Sequence, residues 1–431
     1  MSNRSIDPPQ NGKDDPRPAH QVAPASLNRA RSTLRYTALV SLALGFVPGF
    51  PAALAQSFGE LEARLAEHPE LEAMRYQSTG LRERATAAEA LPDPVLSFGI
   101  LNFPLLDPSF SRYLPTSKTV GVRQMFPHRD ARDARAAQAS QSAARNDTVI
   151  DQRFAELRAD LIVALVDRER VAALRALLGA RDAKYDELAQ IVETEINAGR
   201  PVLFRLAEID VERSDVARAL ADLDAEADQI RARLTDLVGE AATSPPPPLS
   251  LRIWSGEADA FHAVRVARAG VSTAEAGIAQ AEAAWKPNWG VQLMYQQRDA
   301  PGDDWVSATA TLTVPFWADR SQAPALRAAE ANREAARSRF SAAARRAAAR
   351  YQALQATRTA AEAAAAILAQ KIDAIREQIA AQLITYESGA GDYSPILDGE
   401  IAVLRLEGQI VNERARRDRA VARMNALLVG P

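Results

Sequence analysis

The stretch Val306-Ser307-Ala308-Thr309-Ala310-Thr311-Leu312-Thr313-Val314 alternates without exception: every even position is apolar and every odd position carries a hydroxyl. Side chains alternate faces along a β-strand, so as a strand it presents one apolar face and one hydroxyl face. Two settings read this way. One is a soluble sheet with a single wet face; the other is a barrel strand with lipid outside and water within. The stretch alone does not choose between them, and the rest of the chain must.

Three further segments share the pattern. Leu96, Phe98 and Ile100 oppose Ser97 and Gly99; Val120, Val122 and Phe126 oppose Thr119, Gly121 and Arg123. Trp289, Val291, Leu293 and Tyr295 oppose Asn288, Gly290, Gln292 and Gln296, with Met294 an apolar intruder on the polar side. Each segment reads as about 9 or 10 residues, the length at which a tilted strand crosses a bilayer. The polar, Pro- and Asp-bearing connections Pro104–Ser117 and Gln297–Asp304 mark the exposed ends of two hairpins. Trp289, Tyr295, Trp305 and Trp317 fall near strand ends, where an aromatic girdle belongs.

Long helical stretches separate the hairpins. Asp130 to Asn197 contains one glycine, Gly179, and no proline, and Ala325 to Ser388 contains neither; each would extend about 100 Å if continuous. Shorter partners run over Pro201–Leu237 and Ser394–Leu428. Leu206, Ile209, Val216, Leu220, Leu223, Ala227, Ile230, Leu234 and Leu237 step by threes and fours, with Arg213 filling one slot. Leu368, Ile372, Ile375, Ile379, Leu383 and Tyr386 form a second such row, and Ile401, Leu404, Gly408, Val411 and Ala415 a third. These are coiled-coil seams. The abundant alanines permit close approach on a second face, which predicts a wall of helices rather than an isolated pair.

The order helix, strand, strand, long helix, helix occurs twice, a form of internal symmetry that decides a fold. Residues 56–244 hold the first repeat, 245–248 a stiff polyproline linker, and 249–431 the second, the two making one structural domain. Ala198-Gly199-Arg200 before Glu208-Ile209 is echoed by Ala390-Gly391-Asp392 before Glu400-Ile401, and Leu237-Val238-Gly239 by Leu428-Val429-Gly430.

The address is export. Arg29, Arg31 and Arg35 precede an apolar run from Tyr36 to Val47, then Pro48, Pro51 and Ala53-Leu54-Ala55. This is the form of a secretory signal cleaved before Gln56; the prolines and the shortness of the run argue against a retained membrane helix. Residues 1–28, polar and Pro-rich, read as a disordered extension or an upstream start. Residues 1–55 hold six Lys/Arg against three Asp/Glu, so with the whole chain at −3 the remainder stands near −6. That charge does not suit binding to a nucleic-acid backbone. With no cysteine, disulfides, thiolate metal sites and an N-terminal lipidated cysteine are excluded.

Four strands cannot close a barrel, and an open sheet edge is not tolerated in hydrocarbon. Several copies must therefore share one barrel. Three would supply twelve strands, enough for a water-filled bore, with Ser307, Thr309, Thr311, Thr313, Gln292 and Asn288 lining it and Arg123 projecting to the same polar side. Leu96, Phe98, Val120, Val122, Trp289, Val291, Leu293 and Leu312 would face lipid.

His68-Pro69-Glu70-Leu71, Leu91-Pro92-Asp93-Pro94-Val95-Leu96-Ser97-Phe98-Gly99, Val120-Gly121-Val122-Arg123-Gln124-Met125-Phe126-Pro127, Thr313-Val314-Pro315-Phe316 and the Tyr386–Leu397 segment with Gly389, taken in order, resemble the outer membrane efflux proteins of the TolC family. The look is closest to members that serve heavy-metal and multidrug pumps of the RND type. The resemblance implies a mainly α fold: a homotrimer with a helical coiled-coil barrel in the periplasm and a 12-stranded β-barrel in outer membrane lipid. It implies a periplasmic adaptor and an inner-membrane pump as partners, and no cofactor. The adaptor would dock at the helical tips around Gly199 and Arg200 and around Gly389 and Gly391. In the family, acidic residues ring the periplasmic aperture. Aligning the turn on Gly389 puts one of them on Asp398; the neighbouring acidic position falls on Pro395, and Asp392 is the nearby substitute. The plain alternative is that both aspartates face solvent or cap the helix starting near Ser394.

No catalytic reading emerges. His20, His68, His128 and His262 are dispersed, and His68 before Pro69 reads as a helix start. Nucleophile-elbow, phosphate-loop and dinucleotide motifs are absent from the sequence. Three other functions share parts of the pattern: the channel of a type I protein secretion system, a non-conducting periplasmic coiled-coil scaffold, and a periplasmic adaptor. The scaffold leaves the matched hairpins unexplained, and an adaptor would interrupt its hairpin with small β-domains. The cargo (drug, metal ion or polypeptide) is not legible.

Overall fold

A computed structural model describes residues 57–113, 116–299 and 303–430; the signal segment and its cleavage point lie outside these. About 71% of the described residues are helix and 10% strand. The order is α1 (Phe58–Ala66), α2 (Pro69–Glu89), β1 (Val95–Leu101), β2 (Ser117–Phe126), α3 (Arg129–Asn197), α4 (Leu203–Val238), α5 (His262–Ala283), β3 (Asn288–Gln297), β4 (Trp305–Thr313), α6 (Gln322–Glu387) and α7 (Ser394–Leu427).

α3 and α6, of 69 and 66 residues, are the through-going helices, each about 100 Å long. In one half of the wall α3 packs between α4 and α7, and α7 packs on α6. In the other half α2 and α5 flank α3, and α5 packs on α6. The expected seam of α4 is buried at strict heptad spacing, Ile209, Val216, Leu223, Ile230 and Leu237. Arg213, the charge in that seam, turns to Asp182 (3.2 Å) and Asp186 (2.9 Å) on α3. α7 has a seam that its sequence row did not reveal: Val403, Leu406 and Ile410 pack with Ile372 of α6. Ile401, from the expected row, instead joins Tyr185, Leu188 and Val192 of α3. Two seams on one helix are what a wall requires.

Midway, α3 is buried on all sides over Leu161–Val166. The segment after α4 wraps it: Arg168 donates to the carbonyls of Ala242 and Ser244, and Leu249 packs on the Ile162/Val163 cluster. The polyproline segment is thus a strap held against helix, not a free spacer. Beyond it Asn425 Nδ2 donates to Ser250 O (2.8 Å), and the Arg252 N–H donates to Asn425 Oδ1 (2.9 Å). Trp254, Phe261 and Tyr351 close this girdle as an aromatic cluster.

The four strands form one antiparallel sheet in the order β1-β2-β3-β4. β1 has 7 residues rather than the 9 or 10 expected, because Asn102, at φ 54°, turns the chain out of extended geometry. The polar face is crowded at its glycines. A Cβ on Gly290 would lie 2.5 Å from Met125 Sδ and 3.2 Å from the Gln124 carbonyl, and one on Gly121 2.8 Å from Ser97 Oγ. Gly290→Val should therefore destabilise the sheet by about 1–3 kcal/mol through overpacking. Gly179→Ala, on α3 with nothing near its would-be Cβ, should stabilise by up to about 1 kcal/mol. Thermal melts of the detergent-solubilised protein check both; equal midpoints for the two variants would count against the crowding at Gly290.

Candidate functional site: a two-faced sheet and two helical tips

Cross-strand register assigns every strand side chain to a face, since directly opposed residues share one. Phe98–Val120–Tyr295–Val306, Leu96–Val122–Leu293–Ala308 and Phe126–Trp289–Leu312 are continuous rows of one face, with Gln124–Val291–Ala310 between them. All eight residues expected to face lipid fall here: Leu96, Phe98, Val120, Val122, Trp289, Val291, Leu293 and Leu312. Seven of them are exposed, and Phe98 is 75% exposed. Phe126 stacks on Trp289 at 4.1 Å, and Gln124 satisfies its amide on the carbonyls of Pro92 and Met125.

The opposite face carries Ser97–Gly121–Met294–Ser307, Val95–Arg123–Gln292–Thr309, Gly290–Thr311 and Asn288–Thr313. All six residues expected to line the lumen, Ser307, Thr309, Thr311, Thr313, Gln292 and Arg123, share it. The girdle needs correction. Trp305 pairs with Gln296 on this polar face, with the Arg298 guanidinium 4.0 Å above its ring, and Trp317 lies beyond β4 near the start of α6. Only Trp289 and Tyr295 of that set belong to the apolar side.

At the far end two helical turns meet. Gly199 (φ 84°) closes α3 and Gly389 (φ 76°) closes α6, each in the left-handed region that favours glycine. Both turns make the same pair of bonds: Gly199 N–H to Ile196 O with Arg200 N–H to Glu195 O, and Gly389 N–H to Tyr386 O with Ala390 N–H to Thr385 O. The structural counterpart of Gly199 is therefore Gly389, not Gly391 as the sequence echo has it. Gly391 instead lies close over Thr385, where a Cβ would sit 3.2 Å from its methyl.

Neither aspartate caps α7, whose first turn has no side-chain cap. Each is ion-paired across to the other turn: Arg200 Nη1 to Asp392 Oδ1 at 2.9 Å, and Arg205 Nη2 to Asp398 Oδ2 at 3.2 Å. Sequence reading identified the acids and missed Arg205, whose pairing depends on α4 and α7 lying side by side. Higher up, Arg405 Nη2 donates to the Tyr185 hydroxyl (2.7 Å), the hydroxyl donates to Glu212 Oε2 (2.7 Å), and Arg405 pairs with Glu212 directly. The Tyr185 hydrogen bond, with the arginine charges, holds the Glu212 carboxyl below the usual range despite partial burial. Lys184, bonded to Glu400 (2.7 Å) and Glu187 (3.0 Å), is held well above the ordinary lysine value.

His20 lies outside the described residues, and the other three histidines sit at helix starts. His68 and His128 cap α2 and α3, their Nδ1 atoms accepting from the N–H of Glu70 (3.2 Å) and Asp130 (3.1 Å). His262 begins α5, where burial lowers its pKa. Among the described residues no cluster of three or more His, Asp or Glu is placed to hold a metal, and no helix is long and apolar enough to cross a membrane.

Residues 260–430 match the family model described as outer membrane efflux protein. No curated protein matches the chain in sequence. Among solved structures the chain is similar to the outer membrane protein VceC of Vibrio cholerae (16% identity, 86% of this chain and 95% of that one, TM-score 0.70). It is similar to CusC, described in connection with transmembrane channel formation (13%, 86% and 92%, 0.71). It is also similar to the open-state MtrE outer membrane channel of Neisseria gonorrhoeae (17%, 85% and 88%, 0.65). The family is one of channels rather than enzymes. Residues 260–430 thus resemble the outer membrane efflux protein family, and the described chain carries the TolC-type fold across both of its halves.

Proposed function

We propose that three copies of this chain form the outer membrane exit duct of a tripartite efflux system. The observation that carries this is the sheet: one face apolar and exposed, the other lined with hydroxyls and amides, and its two outer strands, β1 and β4, each with an unpaired edge among the described residues. Lipid cannot satisfy those edges, whereas β1 of one copy against β4 of the next satisfies both. The helical wall supports the same closure. α4 and α6 flank it and expose Leu203, Phe204, Val211, Ile367 and Ile384, apolar surface that neighbouring copies would cover. A non-conducting scaffold would have no use for the two-faced sheet.

At the tips we assign Asp392 and Asp398 to a latch rather than a free carboxylate ring: Arg200 and Arg205 tie the α6–α7 turn to the α3–α4 turn. Exposed pairs of this kind are individually weak, which suits an aperture that must open when an adaptor engages Gly199, Arg200, Gly389 and Gly391. The adaptor and an RND-type inner-membrane pump are the partners that this reading requires.

Three outcomes test it. Detergent-purified protein should have trimer mass and cross-link between a cysteine pair placed on β1 and β4; a monomer would sink the duct. In planar bilayers Arg205→Ala should raise conductance and confer block by multivalent cations, because Asp398 loses its counter-charge; unchanged behaviour removes the latch. Glu212, with its pKa lowered in the fold, contributes stability above the ordinary glutamate pKa and loses it as pH falls through the lowered value. Hydrogen exchange around Tyr185 and Arg405 should therefore accelerate below about pH 4, and Glu212→Gln should exchange faster at neutral pH and lose that acid step.

A further inference from the structure

The sheet carries two charged side chains and no acidic one: Lys118 and Arg123. Lys118 stands in the Ile100–Lys118–Gln297 row of the apolar face, its ammonium 5.3 Å from the Phe110 ring. Arg123 is alone in charge on the polar face. Its row is Val95–Arg123–Gln292–Thr309, so its neighbours across the strands are a valine and an amide. It is exposed, and among the described residues no carboxylate lies within ion-pair reach of it. It stands three residues from the end of β2 that leads into α3. The carboxylates at the opposite end of the helices, Asp392 and Asp398, are each neutralised by an arginine of the same copy. Fixed charge on the polar face of the sheet is thus uncompensated and positive.

We infer that Arg123 forms a basic ring inside the barrel that makes the duct prefer small anionic solutes to cations. The inference rests on the trimeric duct proposed above. Twelve strands spaced about 4.8 Å apart and tilted about 40° close at a radius of about 12 Å, and arginine side chains reach well into that space. At 0.1 M salt the screening length is about 10 Å, so three guanidiniums on one level impose their sign on the whole cross-section. The surrounding hydroxyls and amides supply hydrogen bonds to either sign of ion and no opposing charge.

Reversal potentials of the purified trimer in planar bilayers of neutral lipid, under a potassium chloride gradient centred near 0.1 M, test this. Wild type should favour chloride over potassium, and Arg123→Lys, which changes shape but keeps the charge, should do the same. Arg123→Gln should abolish most of the preference. Arg123→Glu should reverse it, changing the permeability ratio at least about threefold from wild type. Unchanged reversal potentials in Arg123→Gln and Arg123→Glu, with conductance retained, would overturn the basic ring while leaving the duct standing. A wild-type trimer that favours potassium would do the same. Failure of wild type to conduct at all would overturn the duct, and this inference with it.

Discussion

An unpaired strand edge is harmless in water and untenable in hydrocarbon, where nothing else satisfies the backbone N–H and C=O groups. This chain makes a four-stranded sheet with an apolar outer face and leaves β1 and β4 as open edges. Other features follow from that constraint. In the proposed trimer the hydroxyl and amide face would enclose water, and glycines at 121 and 290 sit where that face leaves no room for a Cβ. The sheet is a fraction of a barrel, and its chemistry makes sense when neighbouring copies complete it.

The helices extend the same logic below the membrane. α3 and α6 run the length of the wall while shorter helices fill each half beside them, so each long helix needs apolar seams on more than one side. Leu, Ile and Val supply them where contacts are deep, and alanine where helices must approach closely. The strap after α4 is held on α3 by Arg168 and buries the Leu161–Val166 stretch, where the helix changes neighbours. At the tips packing gives way to exposed ion pairs, a change from strong, permanent contacts to weak, reversible ones in the place where the proposed aperture would move.

Charge is placed differently at the two ends. The tip carboxylates of α7 are answered within the same copy by Arg200 and Arg205, whereas Arg123 on β2 has no carboxylate opposite it in the sheet. A polar wall built from Ser, Thr, Asn and Gln is indifferent to the sign of what passes. In the proposed trimer one uncompensated residue, repeated by symmetry, would be sufficient to set a preference.

The strands were legible because period two admits one assignment: once Val306–Val314 is extended, its hydroxyls must share a face, and the matched hairpins repeat the pattern. The heptads of α4 were legible for the analogous reason at period 3.5, and His68 before Pro69 marked a helix start. Pairings between distant segments were not legible. Arg205 meets Asp398 and Arg405 meets Tyr185 because the hairpins lie side by side, a relation carried by no local spacing. The second seam of α7 was hidden because Val403, Leu406 and Ile410 overlap the first row. The echo paired Gly391 with Gly199 because spacing cannot report φ, although the turn glycine, Gly389, was itself legible, and Trp305 passed for a girdle residue because proximity to a strand end does not fix a face. Sequence alone determined periodicity, and with it which side chains travel together. The tertiary structure decided which groups meet, because contact between residues some 200 positions apart depends on how whole elements pack.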